Sequence, residues 1–290
     1  MLGTGTKLDP YQITTVAEFR SMNDSTAYYK LMNDLDVNDS EWATNWTQAT
    51  VEFLEFDGDG HEIRNIVMSD MQDNTTKGGI LYTGSSNFDR LITIKNTKFV
   101  NVVMQGTAGS FFNYSGANTF TNVDFIRCDF SISCDLTNVS SNRLLISHLR
   151  LSAKLNQCTI SVVGSCGRIH DNYTITERES TNCMWNLDIN AKNSLLFGSH
   201  YIKNSVRGKI NFLTTIGTFF YRALSQCYVA CEIQAVATDI RFSSGAINST
   251  CFYDKELAGI TMEAQTNVHA LTTAQCKDKD YLNSIGFVVV

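Results

Sequence analysis

Three copies of one short pattern follow each other along the chain: Asn182-Cys183-Met184-Trp185, Asn204-Ser205-Val206-Arg207 and Gln226-Cys227-Tyr228-Val229. Each copy has a polar amide residue, then a small residue, then residues that favour β-strands. The three amide residues are 22 residues apart. Towards the N-terminus, similar segments begin at Asn96, Asn122 and Gln157, and towards the C-terminus a weaker one begins at Asn248. A repeat of this length is typical of a solenoid.

The period indicates which kind of solenoid to expect. The gaps between successive amides from Asn96 to Asn248 are 26, 35, 25, 22, 22 and 22 residues, and we expect the longest gap to hold an insertion around Leu136–Asn142. About three short strands with bends between them fit into such a period. We therefore predict an all-β fold, a right-handed parallel β-helix, in which amides at one bend of successive coils form a hydrogen-bonded ladder.

The segments between the amides alternate as strands with one buried face do. In Phe125–Cys134 we expect one face to carry Ile126, Cys128, Phe130, Ile132 and Cys134, and the other face to carry Phe125, Arg127, Asp129, Ser131 and Ser133. In Leu145–Ser152 we expect Leu145, Ser147, Leu149 and Leu151 to point inward. Inward residues from successive coils would then stack into one continuous core.

The open ends of a solenoid need covers. Thr15-Val16-Ala17-Glu18 and Thr272-Thr273-Ala274-Gln275 both match the capping box that begins a helix. We therefore predict a single β-helix domain over residues 1–290, with an N-terminal cap and entry segment at 1–50, coils at 51–265 and a C-terminal cap at 266–290. Little other helix is expected.

Composition argues against several classes of function. Charged residues make up 18% of the chain and the net charge is −6. Residues 1–75 hold 14 acidic and 4 basic residues, which leaves 15 acidic and 19 basic residues for 76–290. Because nucleic-acid binding needs clustered Lys and Arg, we do not expect a nucleic-acid partner. No window approaches 18 apolar residues, so we expect no membrane span.

The nine cysteines include no CxxC pair, and their number is odd. This pattern fits small core residues of a protein made in a reducing compartment better than it fits a disulfide framework or a zinc site. No signal peptide is visible at the N-terminus. We therefore expect assembly in the cytoplasm of a bacterial host.

The front of the chain, residues 3–70, carries a motif series. It reads Gly3–Ile13, then Tyr28-Tyr29-Lys30-Leu31-Met32-Asn33-Asp34-Leu35-Asp36, then Phe56-Asp57-Gly58-Asp59-Gly60-His61-Glu62-Ile63. This series resembles the opening of the GLUG-type β-helical repeat proteins of bacterial surfaces and bacteriophages, and residues 271–287 are similar to segments in that group. The glycine-rich repeats that name the group are not seen in the middle of the chain. The resemblance implies a β-helix on a cell surface or in a virion, and it brings no catalytic residues.

Two clusters of carboxylates are candidates for chemistry. Asp124 and Asp129 with Arg127, followed by His148 and Arg150, have the residue types of a sugar-cleaving site. Asp34, Asp36 and Asp39, together with Asp57 and Asp59, have the oxygen ligands of a calcium site but lack the closing Glu of an EF-hand. The alternatives, which we favour, are solvated outward residues of a strand and solvated acidic loops.

Two further sets were weighed. Cys166 and His170 have the residue types of a nucleophile and its base, but no sequence feature positions them. Trp42, Trp46, Tyr28 and Tyr29 have the residue types of a sugar-binding platform, although packing of the cap onto the first coil explains them better. We therefore assign no catalytic, cofactor-binding or metal-binding residue and expect no cofactor.

These observations lead to three expectations for function. The first is a non-enzymatic structural or attachment component of a bacteriophage virion, such as a tail or head fibre, spike or decoration protein. It would form a homo-oligomer such as a trimer, contact other virion proteins and reach host surface glycan. The second is a bacterial surface adhesin module, and the third is a polysaccharide-degrading β-helix enzyme.

Overall fold

The computed structural model describes residues 1–44, 46–72, 79–83, 90–114, 121–137, 144–147, 151–169, 179–198, 200–221, 224–235 and 239–287. The predicted insertion at Leu136–Asn142 and the predicted strand Leu145–Ser152 lie partly outside these ranges. No helix in the described part is long and apolar enough to cross a membrane.

Short strands dominate the chain. The strands are β1 (Tyr11–Ile13), β2 (Tyr28–Leu31), β3 (Leu35–Asp36), β4 (Ala49–Thr50), β5 (Glu55–Asp57), β6 (Glu62–Arg64), β7 (Val67–Met71), β8 (Gly79–Thr83), β9 (Arg90–Lys95), β10 (Lys98–Gly106), β11 (Ser110–Tyr114), β12 (Thr121–Ile126), β13 (Asp129–Leu136), β14 (Ile146–Ser147), β15 (Leu151–Asn156), β16 (Thr159–Cys166), β17 (Glu179–Thr181), β18 (Met184–Ala191), β19 (Leu195–Phe197), β20 (His200–Ile202), β21 (Ser205–Phe212), β22 (Ile216–Phe220), β23 (Leu224–Ser225), β24 (Tyr228–Ala235), β25 (Asp239–Ser243), β26 (Cys251–Asp254) and β27 (Val268–Leu271). The helices are α1 (Val16–Arg20), α2 (Lys255–Ala258), α3 (Thr273–Lys277) and α4 (Lys279–Ser284), with a 3-10 turn at Val37–Asp39.

The strands form four sheets. The first has the order β1-β2-β5-β9-β12-β15-β17-β20-β23, and the second has the order β27-β26-β24-β21-β18-β16-β13-β10-β6-β3, with β7 also paired to β10. A third sheet has the order β14-β11-β8-β4 and a fourth the order β19-β22-β25. Neighbouring strands are parallel, as in the pairs β12 with β15 and β13 with β16. The prediction of an all-β fold with parallel sheets and few short helices is confirmed.

The chain passes from sheet to sheet in a fixed order. From β18 it continues through β19 in the fourth sheet and β20 in the first, and returns to the second sheet at β21. We call each such passage a circuit. The next circuit, β21 to β24, repeats the order through β22 and β23. Strands that are neighbours in a sheet are therefore one circuit apart in sequence.

In-register pairing stacks the buried side chains. In the first sheet one column contains Tyr29, Phe56, Ile94, Phe125 and Leu155, each at most 2% exposed. In the second sheet another column contains Phe99, Phe130, Ile160, Trp185, Val206 and Val229, also at most 2% exposed. Each large apolar side chain buried in this way contributes about 1.5–3 kcal/mol. The core thus runs as columns across the strands.

Each circuit turns a corner where the chain leaves the first sheet for the second. The corner residues share a left-handed backbone, with φ between 50° and 55°, and they are Asn96, Arg127, Gln157, Asn182, Lys203 and Gln226. Asn tolerates this conformation well, whereas for most side chains it costs about 1–2 kcal/mol. The repeated amide of the sequence is therefore a corner residue.

The predicted row of amides is wrong at three circuits, and Asn248, the weakest match, is one of them because it lacks a left-handed backbone. Asn122 lies inside β12, and the corner of that circuit is Arg127. Asn204 lies one residue after its corner, which is Lys203. The corner at Arg127 also ends β12. Phe125 is buried and Ile126 is half-buried, whereas the sequence predicts Ile126 on the buried face and Phe125 on the opposite face. From Cys128 to Cys134 the predicted alternation is confirmed.

A ladder along the corners forms at the N-terminal circuits. The Asn96 Nδ2 donates to Asp57 Oδ1 at 2.9 Å, and the Arg127 Nε donates to Asn96 Oδ1 at 2.7 Å. A second amide pair, Asn101 Nδ2 to Asn65 Oδ1 at 2.7 Å, joins two other left-handed residues. Side chains therefore connect successive circuits here, as predicted, but Arg and Asp take part as well as amides.

The residue after each corner is buried and donates a hydrogen bond to the carbonyl two residues before it. Thr97 Oγ1 reaches Lys95 at 2.8 Å, Asn204 Nδ2 reaches Ile202 at 2.9 Å and Cys183 Sγ reaches Thr181 at 3.3 Å. Cys128, Cys158 and Cys227 make the same contact with their own circuits at 3.5 Å. We call Thr97, Cys128, Cys158, Cys183, Asn204 and Cys227 the corner-donor column. This column explains why so many cysteines follow a polar corner residue.

The thiols of the column are structural. All nine cysteines lie within the described residues and are free, and eight of them are buried. Burial raises the pKa of the Cys128 and Cys227 thiols, so both stay protonated and can donate. The prediction that the cysteines are small core residues is confirmed for these eight.

Both predicted capping boxes are present. Thr15 and Glu18 form one at the start of α1, and Thr272 and Gln275 form the other at the start of α3. Near the C-terminus, the side-chain amide of Gln265 accepts from the Ser243 N–H at 2.9 Å and donates to the Ser243 carbonyl. An amide side chain thus occupies the place of a further strand at the edge of the fourth sheet, which keeps that edge from pairing with another chain.

We expect Asn204→Leu to destabilise the protein by about 2–3 kcal/mol, because the carbonyls of Ser180 and Ile202 would each lose a hydrogen bond and Trp185 Nε1 would lose its bond to Asn204 Oδ1. Asn204→Cys is the matched variant, since the thiol found at the same place in other circuits can still donate to the Ile202 carbonyl, and it should cost about 1 kcal/mol less than Asn204→Leu. Urea denaturation measures both. Equal losses for the two variants would contradict a donor role for this position.

Candidate functional site

A cleft of about 450 Å³ opens in the N-terminal cap. One wall is the start of α1, and the other is the segment that contains β3 and the 3-10 turn. The lining residues are Thr14, Thr15, Val16, Ala17, Asn33, Asp34, Leu35, Asp36, Asp39, Ser40, Glu41 and Trp42. We call this the cap cleft. Its volume lies in the range of small-molecule sites, and its lining combines carboxylates, hydroxyls and one indole.

Local sequence positions both walls. Glu18 Oε2 accepts from the Thr14 and Thr15 backbone N–H groups at 2.8 and 3.2 Å, which fixes the chain before α1. On the opposite wall, the Asp36 side chain accepts from the Asn38 N–H at 3.0 Å and starts the 3-10 turn. The short turn then directs Asp39, Ser40 and Glu41 into the lining.

Two of the carboxylates are fixed by neighbouring strands. Asp34 Oδ1 accepts from the Glu62 N–H at 3.1 Å and lies 3.1 Å from His61 Nδ1, and these hydrogen bonds lower its pKa. Asp36 accepts from Asn65 Nδ2 at 2.8 Å and from Arg64 Nε at 2.9 Å, and these bonds lower its pKa as well. Both residues are therefore anionic at neutral pH and oriented.

Arg20 supports the indole of the cleft. Its guanidinium carbon lies 4.4 Å from the ring centroids of both Trp42 and Trp46. Its two terminal nitrogens donate to the Thr47 carbonyl and hydroxyl at 2.7 and 3.0 Å. Burial lowers the pKa of Arg20, and the charge of Glu41 opposes that shift. Trp46 and Tyr29 are 1% and 2% exposed, so they pack in the core, as the packing alternative predicts. Trp42 is half-buried and lies at the cleft.

The structure separates the acidic residues weighed for calcium. Asp57 lies in a different place from the cap cleft and is paired with Lys95 at 3.2 Å, while Asp59 is paired with Lys30 at 2.8 Å. Asp59 adopts φ of 52° and Gly60 of 87°, so the Asp-Gly sequence forms the tight bend between β5 and β6. Within the described ranges, no group of three or more His, Cys, Asp or Glu side chains could hold a metal ion.

The carboxylates weighed for sugar cleavage are also apart. Asp124 lies in β12 of the first sheet and Asp129 in β13 of the second, on either side of the corner at Arg127. The guanidinium of Arg127 is bound to Asn96. The expectation that Arg127 and Asp129 share one strand face is wrong, because Arg127 is the corner residue between β12 and β13 and belongs to neither strand. His148 and Arg150 lie outside the described residues.

The remaining candidate is a buried thiol. Cys166 is 0% exposed, and a hydrogen bond with Cys134 together with burial raises its pKa. A nucleophilic cysteine needs the opposite, an accessible thiol with a lowered pKa. His170, its proposed partner, lies outside the described residues.

Sequence reasoning found several residues of the cap cleft but did not bring its two walls together. Thr14, Asn33, Ser40 and Glu41 are not singled out by the sequence. The calcium hypothesis does group Asp34, Asp36 and Asp39, which all line the cleft, but it adds Asp57 and Asp59, which lie elsewhere. Trp42 and the capping box at Thr15 were the other available signals.

Comparison with known proteins gives one distant likeness. No protein-family model matches the chain, and no curated protein sequence does. The fold is similar to a crystal structure from Bacteroides ovatus that is provisionally described as an immunoglobulin A1 protease. The TM-score is 0.50 and the identity 14%, and the match covers 97% of this chain and 89% of that one. At this identity the likeness concerns the fold alone.

We expect the substitution Glu18→Gln to show that the ionised Glu18 carboxylate stabilises the fold in a pH-dependent way. Burial opposes ionisation of this carboxyl, but hydrogen bonds from Thr14 outweigh it and lower the pKa from 4.5 to about 2. A lowered folded-state pKa gives stability that is present above the ordinary pKa and is lost as pH falls towards the folded one. The melting temperature of wild type should therefore exceed that of the variant at neutral pH, and the difference should shrink between about pH 4.5 and 2. A difference that stays constant over this range would contradict the assignment.

Proposed function

We propose that the chain is a right-handed parallel β-helix and a non-enzymatic structural or attachment component of a bacteriophage virion. The circuits support the architecture, because each contributes one strand to each of the first and second sheets before the next begins. The resemblance of the front motifs to GLUG-type proteins supports the setting.

The observation that carries the proposal is the outward face of the second sheet. Parallel strands from β10 to β24 pair in register and present mostly short polar side chains, such as Ser131, Ser133 and Ser161. A broad face of this kind suits lateral contact with other proteins better than it suits the enclosed site of an enzyme. Such contacts are what a fibre, spike or decoration protein of a virion needs.

The proposed partners follow from this role. The chain would form a homo-oligomer and contact other virion proteins after assembly in the cytoplasm of a bacterial host. We place the proposed contact with host surface glycan in the cap cleft, where Trp42 offers a ring face and Asp39 offers carboxylate oxygens. No nucleic-acid partner is proposed.

A bacterial surface adhesin module is the second candidate. The resemblance of the front motifs to GLUG-type proteins of bacterial surfaces favours it. In that case the chain would be found at the bacterial cell surface. A polysaccharide-degrading enzyme ranks third, because the carboxylates that would serve it, Asp124 and Asp129, lie in different sheets.

Mass spectrometry of purified virions tests the proposed setting. We expect peptides covering the intact chain in virions of the phage that encodes it. Recovery of the chain only in a bacterial surface fraction, from a precursor with an export signal, would replace the virion with the adhesin. Release of reducing sugar ends from host capsule by the purified protein would overturn the non-enzymatic role.

The glycan contact has a separate test. We expect Asp39→Ala to weaken binding of the purified protein to host cells by about tenfold, the loss typical of removing a well-placed polar contact. Asp280→Ala, on the exposed surface of α4, is the matched control and should bind like wild type. Equal binding by all three proteins would remove the cleft from the proposal.

A further inference from the structure

The buried cysteines are not scattered through the core. Seven of the eight lie beside another thiol and share a hydrogen bond with it. They form a row of three, Cys128, Cys158 and Cys183, and two pairs, Cys227 with Cys251 and Cys134 with Cys166. The eighth is Cys231, whose pKa is raised by burial. Thiols placed side by side in this way can react with each other as well as pack.

The row of three and the first pair belong to the corner-donor column, which Cys251 extends by one circuit. Because the strands on both sides of the corner pair in register, Cys128 lies beside Cys158, and Cys158 lies beside Cys183. Cys227 lies beside Cys251 in the same way. Neighbouring strands are about 4.8 Å apart, and the Cα atoms of a disulfide are usually about 4.4–6.8 Å apart. The backbone of the column is therefore already spaced for disulfides.

Within each group one thiol is the preferred site of negative charge. Asn204 stands between the two groups in the column and keeps them separate. Hydrogen bonds from Cys128 and Cys183 lower the pKa of Cys158, and a hydrogen bond from Cys227 lowers the pKa of Cys251. The thiolate is the reactive form of cysteine, so each group holds one nucleophile beside its partner.

We propose that these thiols form disulfides between successive circuits when the protein meets a two-electron oxidant such as hydrogen peroxide. One disulfide joins Cys158 to either Cys128 or Cys183, and the other joins Cys227 to Cys251. The column is then a set of covalent staples that stays open in a reducing compartment and closes outside it.

The chemistry needs one peroxide for each disulfide. The thiolate sulfur attacks a peroxide oxygen, the O–O bond breaks, and the departing hydroxide takes up a proton to become water. The neighbouring thiol then attacks the sulfur of the sulfenic acid, the S–O bond breaks, and a second water leaves. Two thiols are thereby oxidised and one peroxide is reduced to two waters.

The fold tolerates the loss of the thiol donors. When Cys158 and a neighbour are oxidised, their hydrogen bonds to carbonyls of their own circuits are lost. The Ile126 carbonyl also accepts from the Asn96 N–H at 2.9 Å, and the Asn156 carbonyl accepts from the Arg127 N–H at 2.9 Å. Oxidation therefore leaves these carbonyls paired, and it places an uncharged group in an apolar core.

The remaining thiol pair shows where the same geometry fails. The register of β13 with β16 places Cys134 beside Gly164, two residues before Cys166. About 4.8 Å across the sheet and about 6.6 Å along the strand separate their Cα atoms by roughly 8 Å. This exceeds the limit of about 7 Å for a disulfide. We therefore expect Cys134 and Cys166 to stay reduced, which makes them an internal control.

The staples would act wherever the protein leaves the cytoplasm. Each closes a loop of 24 to 30 residues, counted from the positions of its cysteines, and a disulfide that closes a loop of this length restrains the unfolded chain. Both a virion and a bacterial cell surface lie in oxidising surroundings. The inference thus goes beyond the proposed function and does not depend on which of the two settings is correct.

Peptide mapping tests which bonds form. The purified chain is treated with hydrogen peroxide in two reactions, once folded and once during refolding from urea, and is digested without reduction for mass spectrometry. We expect linked peptides that join Cys158 to one neighbour and Cys227 to Cys251, and none that join Cys134 to Cys166. Because refolding exposes every thiol, burial alone cannot prevent the bonds in the second reaction.

Thermal melting tests what the bonds do. Oxidised wild type should melt about 5 °C or more above the reduced protein. The double variant Cys158→Ser with Cys227→Ser should lose this gain, and the control Cys231→Ala should keep it. Because oxidised and reduced forms of each variant are compared, any stability lost by substitution cancels.

Three results would overturn the inference. They are the absence of both linked peptides from both reactions, a Cys134–Cys166 link in their place, and an equal gain in the double variant. None of these results bears on whether the chain is found in virions, so the two proposals fail separately.

Discussion

The structure depends on a corner that every circuit must turn without leaving a buried backbone group unpaired. At this place one residue takes a left-handed backbone and the next, buried, residue donates a hydrogen bond to the carbonyl two residues earlier. Each of these carbonyls also accepts the backbone N–H of a residue at the preceding circuit's corner. The corner-donor column therefore adds a second hydrogen bond to that carbonyl in each circuit, which contributes about 0.5–1.5 kcal/mol. Thr, Cys and Asn all satisfy the requirement, because each is small and carries a donor.

The corner sets the register between neighbouring strands, and the register determines which side chains are buried and which are exposed. Because each circuit begins its second-sheet strand at the same place, Phe99, Phe130, Ile160 and Trp185 stack inward without interruption. The same register aligns the outward residues into columns, so Ser131 lies beside Ser161 and Asp188 lies beside Lys209. A slip of one residue would exchange the two faces and bury Asp129 and Asp135. The surfaces proposed for function are thus consequences of the corner.

Much of the fold could be predicted from the sequence because its signals are local and repeated. The amide spacing indicated circuits, the alternation from Cys128 to Cys134 gave the correct buried face, and the capping boxes at Thr15 and Thr272 gave two helix starts. The errors also have a physical cause. Any residue with a tolerable left-handed conformation can occupy a corner, so Arg127 and Lys203 were overlooked and Asn122 was chosen in their place. The two walls of the cap cleft could not be brought together from the sequence, because their contact, such as Asn33 Nδ2 with the Thr14 carbonyl, spans 19 residues and has no periodic signal.

An experimental structure at side-chain resolution tests the central claim most directly. The account predicts that Asn96, Arg127, Gln157, Asn182, Lys203 and Gln226 all have positive φ and lie in one row with successive Cα atoms about 4.8 Å apart, the spacing of neighbouring strands. The buried residue after each should donate to the carbonyl two residues before it. Corner residues scattered over different edges of the molecule, or antiparallel pairing of β13 with β16, would contradict the account and every surface derived from it.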